Sequence, residues 1–580
     1  MSNPMENPGH GTIGKREIDF TNLLPLRANG YDPAKLMALA EAMIGDPDSV
    51  KDGADPEENL MVPAGYTYFG QFIDHDLTFD STSTLDKLNN KPTNMRTPRF
   101  DLDCVYGDGP DAQPFMYEED GATLIYNNNQ AKWVVKNPYG DGVELAEVDL
   151  FRNPNGRAII GDKRNDENSI VCQIQLAFIK YHNAVVIALK KSNSKLSGSA
   201  LFNTARNEVR WTYQKLVLED FLPRIVNAQV LKGLNDVDKN ERAKNYALYT
   251  EDKRGNLPRE FVAAAYRFGH SQIRAGYRMN AQPDNRFHIF GSSIPNKKNT
   301  ATVANEAKES PPSLVGFEPL PKSHVIDDWG RFFPETTHEK RAKNLGTKAD
   351  GDNADGKPIR LQYAYKIDTS LVDPLSVLPR ASVAGEETAK QAEVVTGNLK
   401  DPNNRPSLAL LNLLRANEYR IQSGQAVAKA LQDKGYTACK TMTLDQLAIR
   451  KKDEHTSDNG DTFFKFNRLS DLGLSSFMDD TPLWFYVLAE AQAPLLASIE
   501  KKVGHNKQFN EDEMLKPSGS ETQLGWVGGR IVAEVFYGLV DSDAESYVNM
   551  NPIALKNWKP MLGKNKPIIF KSLLEFDGNN

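Results

Sequence analysis

One stretch constrains this chain more than any other: Tyr66-Thr67-Tyr68-Phe69-Gly70-Gln71-Phe72-Ile73-Asp74-His75-Asp76-Leu77-Thr78-Phe79-Asp80. Aromatic and aliphatic residues surround a glutamine and an Asp-His-Asp triplet. Buried carboxylates and imidazoles are costly unless they are paired, coordinated or used. A helix advancing about 100° per residue puts Gln71, Asp74 and His75 within roughly 100° of one another. Asp76 then points about 100° further round, toward a separate partner. A core helix with one satisfied histidine and two surface carboxylates is the plainer alternative, but three polar groups sharing a face weigh against it.

The bulk composition excludes several classes. The chain has 580 residues, 39% hydrophobic and 25% charged, with a net charge of −7. This is a soluble globular composition, long enough for several domains or one large enzyme domain with insertions. Basic and acidic residues are interspersed, so no nucleic-acid or membrane surface stands out. No uninterrupted apolar run approaches the roughly 20 residues that span a bilayer. The start, Met1-Ser2-Asn3-Pro4-Met5-Glu6-Asn7-Pro8, lacks a basic region and an apolar core, so a soluble chain without a secretory signal is expected, cytoplasmic or exported without a leader. Three cysteines, Cys104, Cys172 and Cys439, disfavour a disulfide framework, and nine scattered histidines offer no His-x-x-x-His zinc helix.

Along the chain, residues 1–35 read as a polar arm and 36–580 as one body. The segment Thr97-Pro98-Arg99-Phe100-Asp101-Leu102-Asp103-Cys104-Val105-Tyr106-Gly107 alternates carboxylates with apolar residues. That pattern suits a hard cation such as calcium, and equally an ordinary turn. Ala122–Tyr126 and Ala131–Val135 read as a β-hairpin. Gly161-Asp162-Lys163-Arg164-Asn165-Asp166-Glu167-Asn168 leads into a helix marked by Ile170, Ile174, Ala177, Tyr181, Val185 and Leu189. Arg164 and Glu167 would share a face there, either as a site or as a surface ion pair. His182 reads as a packing or hydrogen-bonding residue. Further helices are expected at 200–221, 259–274, 408–415, 482–500 and 526–540. In the 259–274 helix, Ala263, Ala264, Ala265 and Gly269 would let something broad and flat approach, with Arg267 and His270 on one face. Asn412, inside an apolar run, needs a hydrogen-bond partner. Residues 291–313 and 340–360 read as exposed insertions. The fold class is mainly α, a single large helical domain with a few short β-hairpins and long loops.

Taken together these pieces make a haem site, with His270 to ligate iron, His75 to move the peroxide proton and Arg164 to stabilise developing charge. Five separated motifs, spanning about residues 60–545, resemble the animal haem peroxidase family of the peroxidase–cyclooxygenase superfamily, in its bacterial-type branch. The resemblance implies haem b and Ca2+ as cofactors. Phe69 to Asp76 looks like the distal helix: His75 the acid–base residue, Gln71 the holder of distal water, Asp76 a calcium ligand. Thr97, the Arg99 carbonyl, Asp101 and Asp103 would complete the calcium loop, with Asp103 where the family often has Ser. Gly161 to Glu167 looks like the catalytic arginine segment. Asp74 and Glu167 occupy the positions that can form ester bonds to haem methyls, whereas Asn168 replaces the methionine of a third link. Arg267-Phe268-Gly269-His270 looks like the proximal segment, with Arg267 near a propionate, Asn412 accepting the second imidazole N–H of His270, and Arg415 paired with a propionate.

The expected function is reduction of hydrogen peroxide with oxidation of halide, thiocyanate or small phenolic donors by a monomer. A fatty-acid dioxygenase of the same superfamily, using Tyr266 or another tyrosine, is the enzyme alternative. Arg267 occupies the position where cyclooxygenase-like members carry the radical tyrosine. A non-catalytic haem-binding or adhesion protein is the second alternative, and the intact set of Gln71, His75 and Arg164 argues against it. With an unperturbed histidine near 6.5, activity is expected to fall below roughly pH 5–6.

Overall fold

The computed structural model describes residues 18–45, 56–79, 93–128, 135–139, 142–281, 286–290, 313–334, 361–376, 392–397, 406–452, 463–510, 513–514, 522–550, 558–562 and 568–576. The expected insertions at 340–360 and, save for Ser313, at 291–313 lie outside these residues.

The periodic apolar segments form the helices, and their apolar faces form the core. Ser169–Ser192 is capped by Asn168, whose side chain accepts from the N–H groups of Ile170 and Val171, and it ends in Lys190 and Lys191. Both ends suit the helix dipole and its unpaired backbone groups. This helix is long and apolar enough to cross a membrane by length and composition, which the expectation of no such run missed. Yet 83% of its apolar window is buried inside the protein, as in the central helix of a globular core.

Against it packs Ala64–Leu77, joined through rings: Phe72 stacks on Phe178 with centroids 4.6 Å apart, and Phe69 stacks on the same Phe178 at 6.4 Å. Such contacts make aromatic pairs stabilising beyond their burial. The Ala64–Leu77 helix also touches the Ala265–Gln272 segment, which in turn packs on Leu483–Val503 and Trp526–Ser542. Glu534, fully buried on the last of these, accepts from the backbone N–H groups of Ala247, Leu248 and Tyr249.

Strands are short. Glu58–Pro63 pairs with Tyr363–Tyr365 just before the Ala64–Leu77 helix, and Ala448–Lys452, Phe463–Arg468 and Phe509–Asn510 form an antiparallel three-stranded sheet. Of the expected hairpin, residues 131–134 lie outside the described residues, and Tyr126–Asn127 pairs with Asp149–Leu150. The arm lies over the body where described. Ile18–Asp19 pairs with Thr93–Asn94, and the N–H groups of Leu23 and Leu24 donate to buried Glu260. A helix capped by Asp32 already begins at Pro33, ahead of the expected boundary at 35.

Candidate active site

The Ala64–Leu77 helix is buried on almost every side. From Val62 to Thr78 only Gly70, Gln71 and Asp74 are partly accessible. These three lie on one stripe, as the 3.6-residue period requires, so the accessible space beside this helix is reached through that stripe. His75 is 5% exposed and oriented. Its Nδ1 lies 2.7 Å from Asn165 Oδ1, and Asn165 Nδ2 donates to Gln175 Oε1 at 2.8 Å. The Gln175 oxygen takes the Asn165 amide N–H, leaving Oδ1 as the acceptor that places a proton on His75 Nδ1. Nε2 remains with a free lone pair, 3.8 Å from Glu167 Oε1. Burial, then the Arg164 charge, pulls the imidazole down to about 3. The ring is therefore a neutral base, and the acid limb expected near pH 5–6 moves toward about 3.

Arg164 sits on a 3-10 turn, Lys163–Asp166, capped by the Asp162 carboxylate. Its guanidinium donates to Asp162 (Nη2 to Oδ2 2.8 Å), to the His75 carbonyl at 3.1 Å and to the Thr78 carbonyl, and stands 4.7 Å above the Phe79 ring. The ion-pair partner of Arg164 is thus Asp162, not Glu167. Glu167 instead accepts from Gln71 Nε2, while Asn168 Nδ2 donates to Gln71 Oε1 at 3.1 Å. Burial pushes the Glu167 carboxyl up to about 7 against the Arg164 charge. Burial also raises Asp74, opposed by Arg164 and Arg267, so both arginines act on the carboxylate between them. A buried fork holds the turn: Arg152 donates to Asp166 at 2.7 Å through both Nη atoms and to Asp149 at 2.7 Å.

Behind the helix lies a second cluster. Asp76 is fully buried and neither carboxylate oxygen accepts a hydrogen bond of ordinary geometry. Oxygens of Asp76, Asp101 and Asp103 lie within 4.8 Å of one another. Thr97 Oγ1 donates to Asp101 at 2.7 Å, and Leu102 between the acids adopts a left-handed backbone, φ 61°, which costs a non-glycine residue about 1–2 kcal/mol. Burial raises all three acids, Asp103 to about 8 and Asp76 well above its usual range; Asp101 and Asp103 add repulsion at Asp76, Asp101 at Asp103, and Asp543 at Asp101. The two orphaned oxygens of Asp76, gathered with those of Asp101 and Asp103, suit a hard cation with oxygen ligands. The Arg99 side chain points elsewhere, 3.7 Å from Asp543.

The segment expected as one helix at 259–274 is broken. Arg259–Ala263 is α-helical, Ala264 departs to φ −140°, and Ala265–Gln272 is a 3-10 helix. With three residues per turn, Arg267 and His270 are eclipsed on one side. His270 and Gly269 are partly accessible, and a Cβ on Gly269 would meet no atom within 4 Å. Open space over glycine beside a histidine is what a flat macrocycle needs. Burial, then Arg267, draws the His270 imidazole down to about 3. Tyr266, neighbour to Arg267, donates from its hydroxyl to the Gly70 carbonyl at 3.1 Å, tying this segment to the Ala64–Leu77 helix.

Asn412 and Arg415 lie beside this segment with partners of their own. Asn412 Oδ1 accepts from Arg267 Nη1 at 2.8 Å, and its Nδ2 faces His270 Nδ1 at 2.7 Å. The Asn412 amide thus lies between the Arg267 guanidinium and the His270 imidazole and contacts both. Arg415 is buried with Nη1 3.3 Å from Glu418 Oε2, so it already carries a carboxylate partner. Arg267 Nε likewise donates to the Val262 carbonyl at 2.9 Å. His182 behaves as read, bonded to Tyr106 Oη at 3.1 Å and to the Ala122 carbonyl at 2.8 Å.

Sequence reasoning missed Asn165, Gln175, Asp162 and Arg96 as parts of the site. The signal for Asp162 and Asn165 was their adjacency to Arg164 in a tight turn. Arg96 and Gln175 carry no local signal.

The family model described as animal haem peroxidase matches residues 82–317, which include Arg164, Glu167 and His270 but not His75 or Asn412. The chain is 24% identical over 168 residues to the Drosophila melanogaster dual oxidase, covering 29% of this chain and 10% of that protein. It is 28% identical over 149 residues to the Aedes aegypti chorion peroxidase, 25% of this chain and 19% of the relative. Among solved structures, peroxidase A from Dictyostelium discoideum aligns over 97% of this chain and 93% of its own with a TM-score of 0.51 at 13% identity, a likeness of fold. The chain thus spans at most about a fifth of the length of these two curated relatives.

Proposed function

We propose that this chain is a haem-dependent peroxidase, a reading supported by the match of the animal haem peroxidase family model to residues 82–317. It would reduce hydrogen peroxide and oxidise halide, thiocyanate or small phenolic donors. The observation that carries the reading is His75: a neutral imidazole with Nδ1 committed to Asn165 and Nε2 unbonded, beside a pinned guanidinium. General acid–base catalysis asks for that state.

His270, Gly269, Asp74 and Glu167 would receive the haem. When bound, haem supplies a redox-active iron that binds peroxide and exchanges electrons with the donor. His75 accepts the peroxide proton at Nε2 and returns it to the leaving oxygen. Arg164, fixed by Asp162, offers charge where the O–O bond polarises. Gln71, held by Glu167 and Asn168, positions water beside His75. Asp74 and Glu167, both raised toward the protonated carboxyl, are the candidates for ester links to haem methyls. Asp76, Thr97, the Arg99 carbonyl, Asp101 and Asp103 would hold Ca2+. Tyr266 supports the peroxidase over the dioxygenase: its hydroxyl is spent on Gly70, and its ring stacks on Phe261 at 4.8 Å with Phe536 at 5.3 Å.

The test is stopped-flow spectroscopy of haem-loaded protein with one equivalent of peroxide, followed by iodide. A Soret shift that iodide reverses supports the reading, and its absence would sink it. Oxygen uptake with polyunsaturated fatty acid, without peroxide-dependent iodide oxidation, would select the dioxygenase. Acid–acetone extraction with mass spectrometry reports whether ester links have formed.

A further inference from the structure

Between the cation pocket and the Arg164 turn lies a guanidinium that neither role accounts for. Arg96 Nη1 stands 3.2 Å from Asp103 Oδ1, while Nη2 and Nε donate to Asp162 Oδ2 at 2.7 and 3.1 Å. Nη2 also donates to the Gly161 carbonyl at 3.0 Å. The Arg96 side chain is 14% exposed and that of Asp162 not at all. Asp162 is shared: its Oδ1 accepts from Arg164 N at 2.8 Å and Nε at 3.2 Å, and its Oδ2 from Arg164 Nη2 at 2.8 Å. Both guanidiniums lie over the Phe79 ring, at 5.9 and 4.7 Å. The two loops are in backbone contact, since a Cβ on Gly161 would come within 2.6 Å of the carbonyl oxygens of Asp103 and Cys104. Asp103, Arg96, Asp162 and Arg164 therefore form an unbroken hydrogen-bonded chain of alternating acidic and basic side chains.

We propose that Arg96 is a positioning residue that carries the occupancy of the cation pocket to Arg164 through Asp162. The inference rests on the haem-peroxidase reading for its consequence, but not for its geometry. Asp103 has one carboxyl group and two claimants, the pocket cation and Arg96. A cation in the pocket draws on Asp103, so Arg96 is left to neutralise Asp162. Asp162 then holds Arg164 less firmly, and the Arg164 guanidinium is freer to stabilise an anion at the active site. An unfilled pocket returns Arg96 to Asp103 and leaves Asp162 to Arg164. Reciprocity follows, because a coupling free energy acts equally in both directions: a change at Asp162 alters the affinity of a pocket it does not touch. Arg, not Lys, suits the task because a planar fork serves two carboxylates at once.

The test is terbium luminescence on the chelator-stripped full chain, read as a double-mutant cycle. Asp162→Asn should weaken terbium binding three- to tenfold, because Arg96 then competes undivided for Asp103. Arg96→Leu should tighten it, because the competitor is gone, and Asp162→Asn should have no further effect in that background. A merely structural role for Arg96 predicts the opposite sign, a weakening in Arg96→Leu. Arg96→Lys covers a folding failure of the leucine variant: it keeps the charge without the fork, and should shrink the Asp162→Asn effect to under twofold. In haem-loaded protein, fluoride affinity should rise about threefold on adding calcium, and Arg96→Lys should abolish that rise. An undiminished Asp162→Asn effect in both Arg96 variants, or no terbium binding at all, overturns the proposal. A chain that takes up no haem overturns the peroxidase reading and leaves the terbium cycle intact.

Discussion

The two faces of the Ala64–Leu77 helix carry the same kinds of polar residue under opposite conditions. On the front, Gln71, Asp74 and His75 reach an accessible space, and each has a specific protein partner. On the back, Asp76 is sealed from solvent with both oxygens unpartnered. The front is prepared for chemistry: its partners fix orientation and protonation while leaving one atom, His75 Nε2, free. The back is prepared for a charge it does not itself contain. Burial alone distinguishes neither face from the core. What separates them is which atoms lack partners.

The comparison breaks most sharply at His75. His75→Leu should lower the rate of reaction with peroxide by about 10²- to 10⁴-fold, the usual contribution of a positioned acid–base group, while leaving haem uptake and the unfolding midpoint close to wild type. A variant that reacts within tenfold of wild type would remove His75 from the chemistry.

A second buried histidine sharpens the contrast. His182 is fully buried and has partners at both nitrogens, Tyr106 and the Ala122 carbonyl. Burial depresses it from 6.5 to about 4. A depressed folded value means that the unfolded chain takes the proton first. The stability contribution is complete above about pH 6.5 and is lost as pH falls to about 4, an effect of about 3 kcal/mol at most. Urea unfolding at pH 7 and pH 4 should therefore show a smaller acid loss for His182→Gln than for wild type. An equal loss in both would mean that His182 is not the group being charged.

The back face predicts a metal effect of similar size. Calcium at about 100 times its dissociation constant should stabilise the protein by about 2.7 kcal/mol, seen as a higher unfolding midpoint that chelation reverses. Asp76→Asn should lose most of that gain. Without calcium it should be at least as stable as wild type, because one of three mutually repelling carboxylates is gone. A variant that keeps the full calcium response would place the cation elsewhere.

How much of this was legible in the sequence follows from the range of each interaction. The helix with Gln71, Asp74 and His75 on one side and Asp76 turned away was readable, because helical periodicity is local. The Ser169–Ser192 helix was readable for the same reason. The break at Ala264 was not: a 3-10 segment and an α-helix share the same apolar spacing over one turn, and tertiary contacts such as Tyr266 to Gly70 select between them. Asn412 was readable as a residue needing a partner, but the two it meets, Arg267 and His270, are brought to it only by the fold. Arg96 and Gln175 lie 68 and 11 residues from Arg164, and only the fold brings them into its network.

The smallest effect tests the finest detail, the atom-by-atom assignment at His75. Asn165 Oδ1 holds the proton on Nδ1, and Gln175 holds Asn165. Asn165→Ala removes that acceptor without touching Nε2, so His75 stays in place but samples both tautomers and more than one ring orientation. Outer partners of this kind typically contribute about 10- to 100-fold, and the packed surroundings of His75 put the expectation at the low end, about tenfold on the peroxide rate. The distinguishing readout is Gln175→Leu, which should reproduce part of the loss, because a freed Asn165 amide can turn its N–H toward Nδ1 and move the imidazole proton to Nε2. If Asn165→Ala slows the reaction but Gln175→Leu does not, packing rather than tautomer control orients the front face. The contrast with Asp76 would then rest on accessibility alone.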